Sequence, residues 1–199
     1  CPYQHFLRYG LGLKERDVYA IEMSHIGDFY HQCIEEMFRR LEVSNLGWAE
    51  LSKKEAARFV DEAIEQVAPL VQKNIFMTSK RYVYMLNKLR KVLKQVAWIL
   101  KLHAKKSQFH PYDMEVTFGK QEQMHTYAIG LPDGKKIYLK GRIDQIDQTT
   151  IHGQSYVRIV DYKSGEKKLS WNEVYYGLAL QLLTYLDVAV ETMRMNGQK

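Results

Sequence analysis

Three charged side chains in the second half of the chain have types and spacing suited to chemistry: Asp144 in GRIDQID, and Asp161 and Lys163 in IVDYKSG. Asp161 and Lys163 stand two positions apart at the end of an apolar run, and side chains two apart on a strand share a face. They point the same way as Val157 and Ile159. The pair is either the polar end of a strand leaving the core or half of an active site. Asp144 lies between Ile143 and Ile146, where a carboxylate is unfavourable to bury unless paired or bound to a metal. Its other reading is a surface residue near a turn. If the two segments form a hairpin through His152-Gly153, Asp144 and Asp161 stand opposite or diagonal to each other. Two such carboxylates repel, and a hard divalent cation is the usual remedy. Lys163 beside them then has a role at a phosphate.

The elements that must position these residues change character midway. Pro2 suits a first helical turn and Gly10 a stop, which predicts a short helix over 2–9. Apolar residues at helical spacing predict a second helix over 24–42, with Ser24 as its cap. SKKE at 52–55 is a capping box opening a third, which Pro69 bends or ends. A fourth covers about 80–106, with Leu86, Leu89, Leu93, Val96 and Leu100 inward. Strand patterns follow at 112–119, 125–131, 135–147 and 155–164, punctuated by Pro132-Asp133-Gly134 and His152-Gly153. SWNE at 170–173 is a further capping box, with a helix expected to about Met195. On that helix Gln181 and Tyr185 are i and i+4 and share a Leu-rich face, either as working polar groups or as a buried amide and phenol satisfied by backbone. The expected class is α+β in one domain: a helical part over about 1–110, then a sheet and closing helix over about 111–199.

At 199 residues the chain suffices for one well-buried core, and 46% hydrophobic with 26% charged residues is ordinary globular composition. No apolar run approaches the roughly 18 residues of a membrane span, so no membrane partner is expected. Cys1 and Cys33 give no disulfide framework, and a cytosolic setting is the simpler reading. The chain opens CPYQHFLRYG without methionine and is expected to be a piece of a longer protein. A net charge of +6 favours an anionic partner. From Gln66 through Tyr112 there is no acidic residue. Within that block Lys91, Lys94, Lys101 and Lys105 share a stripe with Trp98. Such a stripe is a solvated face or a set of phosphate contacts with an aromatic for base stacking, and its one-sided charge favours the second.

Gly141-x-x-Asp144, Asp161-Tyr162-Lys163 and Gln181-x-x-x-Tyr185, in this order, resemble the nuclease signature of the RecB family in the PD-(D/E)xK superfamily. MSHIGDFYH, with His25 and Gly27, resembles that family's helix histidine, and EVTFG at 115–119 its E-x-x-F-G strand. CPYQHFLRYGLGLKER resembles the opening of the nuclease domain in B subunits of AddAB-type helicase–nucleases. The resemblance implies a restriction-endonuclease-like core, a mixed sheet flanked by helices. It also implies Mg²⁺- or Mn²⁺-dependent hydrolysis of DNA, single-stranded and fed by a motor, in double-strand-break repair and recombination. His25, Asp144, Asp161 and the Tyr162 carbonyl would ligate the metal, with Lys163 at the water and the charged transition state. Gln181 and Tyr185 would position DNA or water, while Glu115 is a structural strand residue or a supporting partner. His31 competes for the histidine role, and only the family's position favours His25.

The implied partner is an AddA-like helicase–nuclease subunit in the bacterial cytoplasm. Such proteins are also expected to hold a [4Fe–4S] cluster on four cysteines. Cys1 matches the leading one; the other three are absent here, and Cys33 sits on an apolar stripe. The cluster is therefore expected in the full-length protein and not in this chain. The alternatives are a CRISPR-associated iron–sulfur exonuclease of the same superfamily, or an inactive nuclease fold that only binds DNA. Asp144, Asp161 and Lys163 being present together argues against the last.

Overall fold

A computed structural model describes residues 1–13, 19–119, 127–163 and 170–195. Of the expected strands, His125, Thr126 and Ser164 lie outside the described residues, as does part of the N-terminal stretch. Helix α1 (Pro2–His5) begins with its proline at the first turn and runs into a wider turn over Phe6–Gly10. Helix α2 (Met23–Val43) starts one residue before the expected 24, with Glu22 and not Ser24 as its cap. Helix α3 (Lys53–Val67) opens on the expected box: Ser52 Oγ accepts the Glu55 N–H at 3.1 Å, and Glu55 accepts the Ser52 N–H at 2.8 Å. It ends just before Pro69, which has no N–H to give to a further turn. Helix α4 (Lys80–Lys106) is about 40 Å long at the α-helical rise.

These helices share a core made by Phe29, Cys33 and Met37 of α2, Phe59, Val60 and Ile64 of α3, and Leu86, Leu89 and Leu93 of α4. A second core lies under the sheet. Strands β1 (His110–Phe118), β4 (Gly141–Ile151) and β5 (Gln154–Val160) pair in the order β1-β4-β5. All their pairings are antiparallel, so the mixed sheet expected from the resemblance is not present among the described residues. The expected strand over 135–147 is two: β3 (Lys136–Tyr138) pairs with β2 (Ala128–Gly130), and the chain re-enters the main sheet at Gly141.

The closing helix is also two pieces. Ser170 caps α5 (Trp171–Tyr175), accepting the Glu173 N–H at 3.4 Å, but the helix stops at Gly177, whose φ of 72° is left-handed. A glycine in that conformation is the usual C-terminal stop signal. Helix α6 (Gln181–Met195) restarts the run and covers the sheet with Val188, Ala189 and Met193. Among the described residues no helix is long and apolar enough to cross a membrane.

Candidate active site

Strand β4 is the central strand and is buried almost continuously from Ile143 to Asp147. Its register with β5 pairs Gln145 with Val160, which sets Asp144 opposite Asp161 one step further on. The hairpin expected through His152-Gly153 is therefore formed, and Asp161 follows its last pair, close enough for its charge to act on Asp144.

Ile143 and Ile146 both join the core under α6. Three positions apart on a regular strand they would face opposite ways. The break in alternation falls at Asp144 and Gln145, level with Glu115, which lies between the Met114–Gln145 and Val116–Ile143 pairs of β1 and β4. Glu115 has a φ of 51°, a left-handed conformation costing a non-glycine residue about 1–2 kcal/mol. At this distortion both carboxylates reach α2. His31 Nδ1 lies 3.4 Å from Glu115 Oε1 and 3.5 Å from Asp144 Oδ1. The ligand atoms of His31, Glu115 and Asp144 all lie within 4.8 Å of one another.

The histidine at this cluster is thus His31, not the expected His25. His25 faces away from it, into helix-end contacts. Its Nδ1 accepts the Glu22 N–H at 3.1 Å, and its Nε2 is 3.0 Å from the Gln72 amide nitrogen. Both ring nitrogens are engaged there.

Asp144 is buried, and its Oδ2 accepts the Tyr162 N–H at 2.7 Å. Burial pushes its carboxyl above the ordinary range; the Tyr162 N–H and His31 pull it down, and Asp161 and Glu115 push it up again. Glu115, in polar contact with Nδ1, holds the His31 imidazole above its usual value against the opposing effect of burial. His31 Nδ1 is nonetheless buried without a well-aligned hydrogen bond. Glu115 Oε2 likewise meets Arg142 Nε at 2.7 Å as an ion pair without hydrogen-bond alignment. Burial raises the nearby Glu35 carboxyl too, with Glu115 adding to it.

Asp161 and Lys163 pair at 3.0 Å, as their shared face required. The other Asp161 oxygen accepts from the Gln181 amide at 3.3 Å, and the same amide reaches Tyr185 Oη at 3.1 Å. The Gln181 amide thus joins Asp161 and Tyr185 through side-chain hydrogen bonds. Tyr185 also packs edge-on to Phe118. A Cβ at position 141 would lie 2.7 Å from the Phe118 ring and 3.4 Å from that of Tyr185, which requires Gly141 three residues ahead of Asp144.

The residues sequence reasoning undervalued are His31, Glu115 and Arg142. Arg142 stands in GRIDQID two residues before Asp144, and alternation put it on the same face as the aspartate, which was the available signal.

The lysine stripe does not form one free face. Lys101 follows Leu93 and Ala97 at spacings of four, is buried, and donates to the Leu51 carbonyl. Lys94 pairs with Asp61 of α3 at 2.7 Å. Trp98 carries Lys53 and Lys101 over its ring. Lys91 and Lys105 are exposed. The acid that relieves the block comes from α3, outside the window the sequence shows as basic.

The donor set fits a divalent cation: an imidazole nitrogen without a good partner, and two buried or half-buried carboxylates aimed at it. It does not fit an iron–sulfur cubane. Cys1 is exposed and Cys33 is buried in the helical core, where burial holds its thiol protonated, whereas a cubane takes four thiolates.

Together these features define a class of protein, and residues 1–199 match the PD-(D/E)XK nuclease superfamily over their whole length. The chain belongs to that superfamily. It is 42% identical over 193 residues to the B subunit of the ATP-dependent helicase/deoxyribonuclease of Lysinibacillus sphaericus (strain C3-41), covering 96% of this chain and 16% of the relative. It is 42% identical over 190 residues to the protein of the same name from Geobacillus kaustophilus (strain HTA426), covering 96% and 16%. It is 43% identical over 191 residues to that from Exiguobacterium sibiricum, covering 96% and 17%. The chain therefore spans about a sixth of the length of the curated relatives it matches.

Proposed function

We propose that these residues are the nuclease domain of a helicase–nuclease B subunit and hydrolyse DNA phosphodiesters with Mg²⁺ or Mn²⁺. The observation that carries this reading is the meeting of His31, Glu115 and Asp144 donor atoms within 4.8 Å, beside the Asp161–Lys163 pair. Asp144, Glu115 and His31 would hold the cation, with Asp161 and the Tyr162 carbonyl completing the shell. When bound, such a cation supplies charge to the scissile phosphate and lowers the pKa of water. An imidazole in the set suits Mn²⁺ at least as well as Mg²⁺.

The chain's own groups do the rest. Lys163 carries a positive charge to where negative charge builds on the phosphate, and Asp161 fixes its ammonium. Gln181 holds Asp161 and, with Tyr185, offers polar groups to water or a strand. Arg142 pairs with Glu115 at the rim. The substrate is single-stranded DNA cut as an exonuclease, and the whole assembly includes an AddA-like partner in bacterial double-strand-break repair. Cys1 would serve a [4Fe–4S] cluster only with cysteines these 199 residues do not contain.

The test is digestion of end-labelled single-stranded DNA with Mn²⁺ by the wild type beside Asp161→Ala and Lys163→Ala. The wild type should cut and both variants should not. Cleavage by Asp161→Ala at saturating Mn²⁺ would sink the assignment.

A further inference from the structure

Regular pairing between β4 and β5 ends at Gln145 and Val160, and among the described residues no ladder holds the next three, Asp161, Tyr162 and Lys163. They carry the working groups of the proposed site. What holds them lies on the far side, in a cavity of about 160 Å³ lined by Trp48, His103, Phe109, Asp147, Arg158 and Tyr162. Along its wall runs an unbroken line of hydrogen bonds. Tyr162 Oη donates to Gln145 Oε1, and Gln145 Nε2 donates to Asp147 Oδ1. The other Asp147 oxygen accepts from Arg158 at 2.6 Å and 2.8 Å. Arg158 in turn donates to Ser107 Oγ at 3.3 Å at the end of α4 and lies over the Phe109 ring at 4.7 Å. Asp147 is 1% exposed, and both of its carboxylate oxygens are satisfied within this line.

Only the first member reaches the site. The Tyr162 N–H donates to Asp144 Oδ2 at 2.7 Å, and the Tyr162 ring stands edge-on to His31. We infer that Tyr162, anchored through Gln145, Asp147 and Arg158, is a positioning residue that holds the Asp161–Lys163 segment and the Asp144 carboxylate in the geometry a divalent cation needs. The inference rests on the metal-site reading above. A phenol held at its hydroxyl, with its own N–H held on Asp144, restrains the backbone between them. Ligand-supporting groups of this kind typically alter metal affinity by ten- to a hundredfold.

The test is calorimetric titration of the protein with Mn²⁺, accompanied by thermal melts. Tyr162→Phe keeps the ring and removes only the anchor; it should raise the Kd for Mn²⁺ about tenfold. Asp147→Asn, which touches no ligand, should weaken binding similarly, and the double variant should lose no more than the larger single loss. If Asp147→Asn fails to fold, Arg158→Lys takes its place in the cycle. A Tyr162→Phe variant that melts lower yet binds Mn²⁺ like the wild type would overturn the inference, as would losses that simply multiply. A wild type that binds no Mn²⁺ would overturn the metal reading and this inference with it.

Discussion

Asp144 is the residue at which folding and chemistry conflict. It is buried, its carboxyl is raised, and Asp161 and Glu115 both oppose its charge. Without metal, an uncharged isostere that still accepts the Tyr162 N–H relieves that conflict. Asp144→Asn should therefore raise the melting temperature in EDTA by roughly 2–4 °C, equal to about 1 kcal/mol for a chain of this size, while Mn²⁺ binding is lost. A lower melting temperature in EDTA would show that the carboxylate is held comfortably. His31 gives the pH dependence. Its folded pKa is raised above 6.5, so in EDTA its contribution to stability is fully present below that value and fades as pH rises through the folded pKa. A protonated imidazole cannot ligate. Mn²⁺ affinity should therefore climb with pH by up to about tenfold per unit until His31 has lost its proton. Flat affinity across that range would exclude His31 as a ligand.

At the scale of elements, α2 explains why His25 and His31 have different work. His25 lies in the first turn, where it accepts the Glu22 N–H; His31 lies further along, where the helix passes the distorted part of β1 and β4. His25→Ala should lose about 0.5–2 kcal/mol of stability as a lost cap does, with Mn²⁺ affinity unchanged, whereas His31→Ala should weaken Mn²⁺ binding. In α4, Lys101→Gln should destabilise by about 1–3 kcal/mol by leaving the Leu51 carbonyl short of its donor. Neither it nor Lys94→Gln should change the salt slope of single-stranded DNA binding, whereas Lys91→Gln and Lys105→Gln each lower it by roughly one unit if they meet phosphates. The residues legible in the sequence were those governed by local periodicity. Asp144 opposite Asp161 followed from a hairpin and its turn, Asp161 beside Lys163 from strand alternation, and Gln181 beside Tyr185 from helical spacing. His31 and Glu115 meet across α2 and β1, a contact that no pattern read along one element contains, whereas Arg142 was signalled by its alternation with Asp144. The Lys94–Asp61 pair was hidden for a similar reason: it joins two helices 33 positions apart in sequence. Gly177 was a missed stop signal of the ordinary kind.

At the scale of the molecule, two cores meet at the site. α2 belongs to the helical core, β1 and β4 to the sheet packed under α6, and His31, Glu115 and Asp144 lie where the two face each other. A cation bound there joins the halves, so Mn²⁺ at a hundred times its Kd should stabilise the wild type by about 2.7 kcal/mol and leave Asp144→Ala unmoved. Equal stabilisation of both proteins would place the metal elsewhere. The most direct measurement is an anomalous difference map from crystals soaked in Mn²⁺, recorded at the manganese edge. The predicted result is one strong peak among the His31, Glu115 and Asp144 side chains, next to Asp161. A peak at His25, or none at the three residues with Mn²⁺ at saturation, would contradict it.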